Sequence, residues 1–297
     1  MRSLDRLGLL LAAATLLAGG CSRDEPRRSE RPSQSRNDSA PAPAATAPSG
    51  DAATFAMGNV SFVLFHEVGH ALISEFELPV LGREEDAVDM FASVLLVPDE
   101  DDPADDASIL TDAITGWFLS AERTELNDIA WWDVHGPDQQ RAYQIACLLY
   151  GSNARAYDGL AEEIELPTAR REGCPAEYQS TLQSWTSLLE PHLLPDGQQP
   201  ATRMTVRYDD AGAYGAEQQL LRETELLEGV ASGVSEGFRL PRNLTIRAKV
   251  CGEPNAYWEA ESGELTVCYE LVRDYLELHA DLGGGATETG NSATAEE

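Results

Sequence analysis

Hydrophobic and polar positions along this chain follow periods that predict mainly helices. Residues 60–76 carry apolar side chains at helical spacing, and Pro79 ends that segment. A second helix is predicted over residues 84–97, with Pro98 closing it and an acidic loop following. Three more helices are predicted over residues 106–123, 137–151 and 175–190.

The pattern changes after Pro191. Residues 203–208 alternate as a strand does, and residues 243–251 and 264–270 are two further β-type runs with turn residues between them. Long helices are predicted over residues 214–237 and 270–280. The fold class is therefore α+β, mainly helical, with a small disulfide-stapled hairpin or sheet near the C-terminus. The segment "CGEPNAYW" is either part of that hairpin, which we favour, or a strand at the edge that faces substrate.

The N-terminus has the features of an export signal. Arginines at positions 2 and 6 precede an apolar run, residues 7–18, that is too short to span a bilayer permanently. The following "LAGGCS" resembles a bacterial lipobox, which predicts cleavage before Cys21 and a lipid on that cysteine. Ordinary secretion and an uncleaved anchor are the alternatives. We expect a lipoprotein of the bacterial cell envelope on the periplasmic side, and Ser22 favours the outer membrane where that sorting rule applies.

Composition divides the chain into four parts. Residues 1–20 form the predicted signal peptide, and residues 21–53, rich in Ser, Pro, Ala and charge, form a predicted disordered tether. The folded domain is predicted over residues 54–281, helical over 54–191 and α+β over 192–281. Residues 282–297 are predicted to be a disordered tail.

Charge and cysteine content narrow the partners and the compartment. The formal net charge of -30 makes nucleic acid and anionic lipid improbable partners. Four cysteines besides Cys21 suit two disulfides in an exported chain, and three pairings are possible. We favour the nearest neighbours, Cys147 with Cys174 and Cys251 with Cys268. A cysteine metal site is disfavoured because the chain has no CxxC spacing.

The segment "HEVGH" places His66, Glu67 and His70 within the first predicted helix. Histidines four residues apart lie on one helical face and can bind one metal ion, while the adjacent glutamate can act as a base. This HExxH pattern is typical of zinc peptidases. The alternative is a buried helix whose histidines have ordinary core partners.

A third protein ligand is predicted on the second helix. In "GREEDAVD", Glu85 and Asp89 lie four residues apart and share a helical face. Glu85 is the predicted third ligand to one Zn²⁺, and Asp89 is predicted to hold a ligand histidine in its tautomer. Glu84, and less readily Asp86, are the alternatives in a shifted register.

A donor for the oxyanion of a peptide-cleavage reaction is predicted in "WWDVHG". His135 is the first candidate, with Asp133 as a partner that could orient it. Tyr257 and Tyr150 are the alternatives, and a purely structural loop histidine is another. Arg141 is predicted to be structural and paired with an acid.

Three separated stretches together resemble a poorly characterised bacterial family assigned as zinc metallopeptidases. They are "HEVGHALISEFELPVLGREEDAVDMFASVLL", "WWDVHGPDQQRAYQIACLLYG" and "CGEPNAYWEAESGELTVCYEL", and the resemblance covers residues 57–275. It implies the ligand positions for His66, His70 and Glu85, the base for Glu67, and the supporting position for Asp89. Trp258 departs from the family pattern, where a smaller aromatic residue is expected.

These observations predict an envelope-anchored zinc peptidase that hydrolyses peptide bonds with a metal-activated water and Glu67 as general base. The substrate is a peptide or protein that the sequence does not identify. Two alternatives remain open: a binding lipoprotein in which zinc is only a structural element, and an amidase acting on cell-wall peptides. The sequence predicts no oligomeric state.

Overall fold

The computed structural model describes residues 50–98 and 107–284. The predicted signal peptide, Cys21, nearly all of the predicted tether, the acidic segment 99–106 and most of the predicted tail lie outside these ranges. Among the described residues, no helix combines the length and the apolar character needed to cross a bilayer.

Helix α1, Gly50–Phe76, is the central element of the fold. Its side chains are buried around nearly the whole helix from Phe55 to Ile73, as expected for a helix enclosed by other elements. It ends at Glu77, whose positive φ of 52° lets the amide of Leu78 bond to the carbonyl of Ile73 at 2.9 Å. Helix α1 begins four residues before the predicted start of the folded domain.

In the helical part, several helices pack against α1. Helix α2, Glu84–Leu95, packs directly on α1, and its first turn carries three acidic residues that favour the positive end of the helix dipole. The other helices of this part are α3 Ser108–Glu122, α4 Asp138–Ser152, α5 Asp158–Glu163, α6 Thr168–Arg171 and α7 Cys174–Leu189, with a 3₁₀ turn at Glu190–His192. The sequence patterns did not predict the two short helices α5 and α6.

The C-terminal part contains a four-stranded mixed sheet. Its strands are β1 Met204–Tyr208, β2 Leu244–Lys249, β3 Ala256–Glu259 and β4 Glu264–Cys268. The order is β1-β2-β4-β3, with β1, β2 and β4 parallel and β3 antiparallel to β4. Helices α8 Gly215–Glu223 and α9 Leu226–Gly237 connect β1 to β2, and α10 Tyr269–Gly284 follows β4 and packs on α1. The predicted α+β class with a small C-terminal sheet is confirmed.

Two details of this part differ from the predictions. The single helix predicted over 214–237 is two helices, because Glu225 has a positive φ of 51° that breaks the helical path. The runs 243–251 and 264–270 do not pair as a hairpin with each other. They are parallel neighbours, since β3 lies between them in sequence, and the hairpin is β3–β4 with Gly263 at positive φ in its turn.

Both disulfides join the cysteine pairs that the sequence analysis favoured. Cys147 of α4 pairs with Cys174 at the start of α7, with their Cα atoms 5.1 Å apart. Cys251, just after β2, pairs with Cys268 at the end of β4, with Cα atoms 5.5 Å apart. The second bridge therefore ties the ends of two parallel strands together, rather than stapling a hairpin.

Candidate metal centre

A glycine allows α1 and α2 to approach closely enough to form the site. A Cβ atom built on Gly69 of α1 would lie 2.8 Å from Cγ1 and 2.9 Å from Cβ of Val88 in α2. Glycine removes this clash, so the face of α1 that carries His66 and His70 lies directly against the face of α2 that carries Glu85 and Asp89.

Three donor atoms from the two helices converge on one point. The Nε2 atoms of His66 and His70 each lie 3.2 Å from Oε2 of Glu85. One ligand atom from each of these residues can be chosen so that all three lie within 4.8 Å of one another. Two imidazole nitrogens and one carboxylate oxygen at this spacing are a donor set for a transition-metal ion.

The opposite nitrogen of each ring is held by a second carboxylate. Nδ1 of His66 donates to Oδ1 of Asp89 at 2.7 Å, and Nδ1 of His70 donates to Oε1 of Glu84 at 2.7 Å. Because each Nδ1 carries the proton, each Nε2 of a neutral ring presents a lone pair to the lone pairs of Glu85. Two such contacts are repulsive unless a proton or a cation lies between the groups, so the arrangement suits a bound metal ion.

The pKa shifts of these groups also show that the site favours positive charge between the rings and Glu85. Burial alone would lower the pKa of His70, but hydrogen bonds to Glu85 and Glu84 outweigh it and raise the pKa to about 9. His66 behaves alike: burial opposes the shift, and the bonds to Asp89 and Glu85 leave the pKa raised. Burial would raise the pKa of Glu85, but the hydrogen bonds from His135, His66 and His70 hold it far below its usual range.

Glu67 stands beside the donor set without belonging to it. Its carboxylate is buried, and Oε1 lies 4.0 Å from Nε2 of His66. The backbone N–H of Trp258 in β3 faces this carboxylate and opposes the rise in its pKa. Burial raises the pKa of Glu67, although the charges of His66 and His70 oppose that shift. A carboxylate with a raised pKa is the better proton acceptor near neutral pH.

Arg141 supports the inner half of the site. Its guanidinium donates to both oxygens of Asp89, at 2.7 Å from Nε and 2.7 Å from Nη2, while its carbon lies 3.7 Å from the ring centroid of Trp117. Burial raises the pKa of Asp89, but the positive charge of Arg141 and the bond from His66 hold it well below its usual range. The ion pair predicted for Arg141 is therefore made with the residue that orients His66.

His135 reaches the same point from the loop between α3 and α4. Its Nε2 lies 2.9 Å from Oε2 of Glu85, and its Nδ1 lies 3.3 Å from Oδ1 of Asp133, the predicted orienting partner. The bond to Glu85 raises the pKa of His135. The ring stacks on that of His66, with centroids 6.1 Å apart.

The two tyrosine alternatives lie in different places. Tyr257 of β3 lines the cleft that contains the donor set, whereas Tyr150 packs beside the Cys147–Cys174 disulfide. Trp258, the departure from the family pattern, also lines the cleft, and its Nε1 donates to Oγ of Ser74 at 2.8 Å. The larger ring thus has a polar partner on α1.

Strand β3 presents an open edge to this cleft. The carbonyl of Asn255 accepts from Cys268 in β4, so the backbone groups of residues 255, 257 and 259 point toward β4. Those of Ala256 and Trp258 point the other way, consistent with the Trp258 amide bonding to Glu67. The "CGEPNAYW" segment thus contributes β3 to the β3–β4 hairpin, as the sequence analysis favoured, and β3 is at the same time an edge strand beside the candidate base.

Sequence reasoning missed two contributions to the site. The role of Arg141 required knowing that α4 packs on α2, and the role of the Trp258 amide is a backbone contact that no side-chain pattern can signal. The assignment of Glu84 also changes: its carboxylate does not meet the Nε2 atoms but holds Nδ1 of His70, while Glu85 meets both.

The arrangement gives the protein a His-His-Glu donor set of a kind that can hold a metal ion, in a solvent-accessible cleft with a buried carboxylate beside it. A family described as "Putative metallopeptidase" matches residues 32–189 and 209–296. The chain belongs to this family, and the resemblance stated from the sequence is confirmed. No curated protein and no solved structure shows a significant match.

Proposed function

We propose that this protein is a zinc-dependent peptidase with its metal held by His66, His70 and Glu85. The observation that carries the proposal is the convergence of these three donors with a separate, buried carboxylate, Glu67, beside them. A purely structural metal site needs ligands but no neighbouring base, so the presence of Glu67 favours hydrolysis over a binding protein with a structural zinc. The family described above supports the same reaction class.

Zinc fits the donor set because it is commonly bound by two histidines and one glutamate, with a position left for water. When bound, it would supply a water of lowered pKa and polarise the substrate carbonyl. This composition and the zincin-like arrangement of an HExxH helix and an ExxxD helix are parts of the proposal. The carboxylates of Asp89 and Glu84 would keep both Nε2 lone pairs directed at the ion.

Glu67 would act as the general base of the reaction. Its carboxylate would accept a proton from the attacking water and return it to the nitrogen of the leaving amine. Burial keeps the pKa of Glu67 raised, so its carboxylate accepts a proton readily. With Glu85 holding a metal ion, Nε2 of His135, which lies at the cleft 2.9 Å from that carboxylate, would be available to donate a hydrogen bond to the developing oxyanion.

The backbone of β3 would hold the substrate. The outward N–H and C=O of Ala256 and the outward C=O of Trp258 could pair with an extended peptide that adds to the edge of the sheet. Such pairing would carry the peptide past Glu67, because the Trp258 N–H faces that carboxylate.

Zinc content and hydrolysis of a peptide library, measured on three variants, test the proposal. Glu67→Gln should keep zinc near the wild-type level and lower hydrolysis by roughly 10²–10⁴-fold, because the amide cannot accept the proton. Glu85→Ala should lose zinc, since it removes a ligand oxygen. Glu84→Ala is the matched control and should keep most of it, because Glu84 contacts only Nδ1 of His70. Absence of zinc from wild-type protein, or full activity of Glu67→Gln, would refute the assignment.

The proposal includes an envelope location with a lipid on Cys21, supported by the lipobox-like sequence and by two disulfides in the folded part. Wild-type protein should partition into detergent, and Cys21→Ser should remain in the aqueous phase. A wild-type protein that is already aqueous after export would contradict the anchor without affecting the metal site.

A further inference from the structure

The loop between α3 and α4, residues 123–137, exposes an unusual amount of apolar surface. Seven large hydrophobic side chains are exposed among the described residues, and four of them belong to this loop: Leu126, Trp131, Trp132 and Val134. Trp131 is 71% exposed and Trp132 86%. Exposed apolar clusters of this kind are typical of surfaces that bind something.

The four side chains divide between two faces of the loop. Leu126 and Trp131, with Ile129 between them, line the cleft that also contains His66 and Glu67. Trp132 and Val134 do not line it. The loop therefore has an apolar wall facing the candidate metal centre and a separate outer face.

The wall lies close to the donor set. The same loop carries His135, whose Nε2 is 2.9 Å from Oε2 of Glu85. Trp131 precedes His135 by four residues, so their Cα atoms are separated by at most about 14 Å. Across the cleft, β3 offers its outward backbone groups. An extended peptide paired with β3 would direct alternate side chains to opposite sides, and one set would face the loop.

Charge restricts what can occupy the cleft. Among the residues that the structure describes, Arg141 is the only arginine or lysine that lines it, and its charge is matched by Asp89. Seven carboxylates line the same cleft: Glu67, Glu84, Glu85, Asp128, Asp133, Asp138 and Asp274. An acidic substrate would be repelled, and so would an anionic lipid surface.

We propose that Leu126 and Trp131 form a binding wall for an apolar side chain next to the scissile bond of an extended peptide, and that the surrounding carboxylates exclude acidic side chains at the adjoining positions. This inference rests on the proposed peptidase function and specifies its substrate class: unfolded or extended segments with large apolar residues and neutral or basic neighbours.

Adjacent tryptophans provide a matched pair for the test. Purified full-length protein should cleave a peptide library preferentially beside large apolar residues, with acidic neighbours depleted. Trp131→Ala should raise KM for such peptides by about tenfold, as truncation of an aromatic anchor does, and weaken the preference. Trp132→Ala removes an equally large, more exposed ring from the outer face and should leave both unchanged. If the enzyme cleaves peptides but the two variants have the same KM and the same preference, this inference is overturned while the peptidase assignment stands.

A binding measurement separates this inference from failure of the peptidase assignment. Fluorescence anisotropy of labelled peptides centred on Leu, Ser or Asp can be followed with the Glu67→Gln variant, which needs no turnover. Binding should rank Leu above Ser above Asp, and Trp131→Ala in that background should remove the advantage of Leu. If this ranking is found but wild-type protein hydrolyses no peptide, the apolar binding wall is supported and the peptidase assignment is refuted.

Two other occupants give different outcomes. If the loop instead inserted into a bilayer, Trp132→Ala would weaken binding to zwitterionic phosphatidylcholine vesicles at least as much as Trp131→Ala, with no change in peptide preference. If it joined two copies of this chain, either substitution would shift the sedimentation profile toward monomer. Either result without a change in peptide preference overturns the inference.

Discussion

His66 and His70 lie one helical turn apart on α1, yet the structure supports them very differently. His66 is buried, and behind it Asp89 accepts hydrogen bonds from two nitrogens of the largely buried Arg141 guanidinium. His70 is partly exposed, and behind it Glu84 is about half exposed. The inner half of the site is therefore fixed by a buried network, whereas the outer half depends on one contact open to solvent. The two proposed metal ligands thus have unequal support, and substitutions should reveal the difference.

The largest contrast is expected between the two supporting carboxylates. Asp89→Asn should weaken zinc affinity by roughly ten- to a hundredfold, as loss of a residue supporting a metal ligand does. It should also destabilise the fold by about 3–5 kcal/mol, because Arg141 loses a buried partner. Glu84→Gln, the matched control, should change affinity by less than about fivefold and stability by less than about 1 kcal/mol. Competition titration and urea unfolding measure these values, and equal effects would abolish the distinction.

Arg141→Gln tests whether the inner network supports the metal or only the fold. The substitution leaves Asp89 bonded to His66 but without its bidentate partner, so we expect a stability loss of about 3 kcal/mol. Zinc affinity should fall by about tenfold, less than for Asp89→Asn, because the bond from Asp89 to Nδ1 remains. Arg141→Lys keeps the charge and should recover part of both effects. A variant with lowered stability and wild-type affinity would show that Arg141 has no influence on His66.

Gly69→Ala should affect both halves together. The added methyl would meet Val88 at under 3.0 Å, so α1 and α2 must separate slightly, with a cost of about 1–3 kcal/mol. The gain of about 1 kcal/mol from replacing a helical glycine offsets part of this. Val88→Ala should relieve the clash, so a double-mutant cycle in unfolding and zinc affinity should show favourable coupling. Simple additivity would mean that the helices are not limited by this contact.

The smallest expected effect concerns pH. In the metal-free protein the pKa of His70 is about 9, against an ordinary 6.5. A raised folded-state pKa contributes stability that is complete below the unfolded value and is lost as pH rises through the folded one. Metal-free protein should therefore lose some stability between pH 6.5 and pH 9, and zinc affinity should rise over the same range as the proton is displaced. Glu84→Gln should narrow the pH range over which this stability is lost. Calorimetric unfolding at several pH values would measure it.

The sequence predicted the parts of the site that lie on single elements. Spacing alone placed His66, Glu67 and His70 on one helix, and Glu85 with Asp89 on the next, because a helix repeats nearly every four residues. It also favoured the disulfide pairs that the structure contains. Most other helix boundaries agreed to within about two residues, but the first helix begins at Gly50 rather than at residue 60, and Glu225 divides a helix that was predicted to be continuous.

Contacts between distant elements were not predictable in this way. The hairpin favoured for the segment that contains β3 is confirmed by its antiparallel pairing with β4, but the place of β3 at the sheet edge follows from the pairing of β4 with β2. The partner of Arg141 depends on α4 packing on α2, which residue periodicity does not determine. The role of Glu84 could not be predicted from its position along the helix either, because it depends on where the side chain points.

Gly69 also bears on how related chains can be recognised. The chemistry requires only His-Glu-x-x-His and leaves the residue before the second histidine free. Packing does not leave it free, because Val88 of the following helix occupies the space of a side chain. A search pattern of His-Glu-x-Gly-His, with Glu fifteen and Asp nineteen positions after the second histidine, therefore encodes a distance between two helices as well as a set of ligands. In a chain with a larger residue at the glycine position, we expect a residue smaller than valine at the position of Val88.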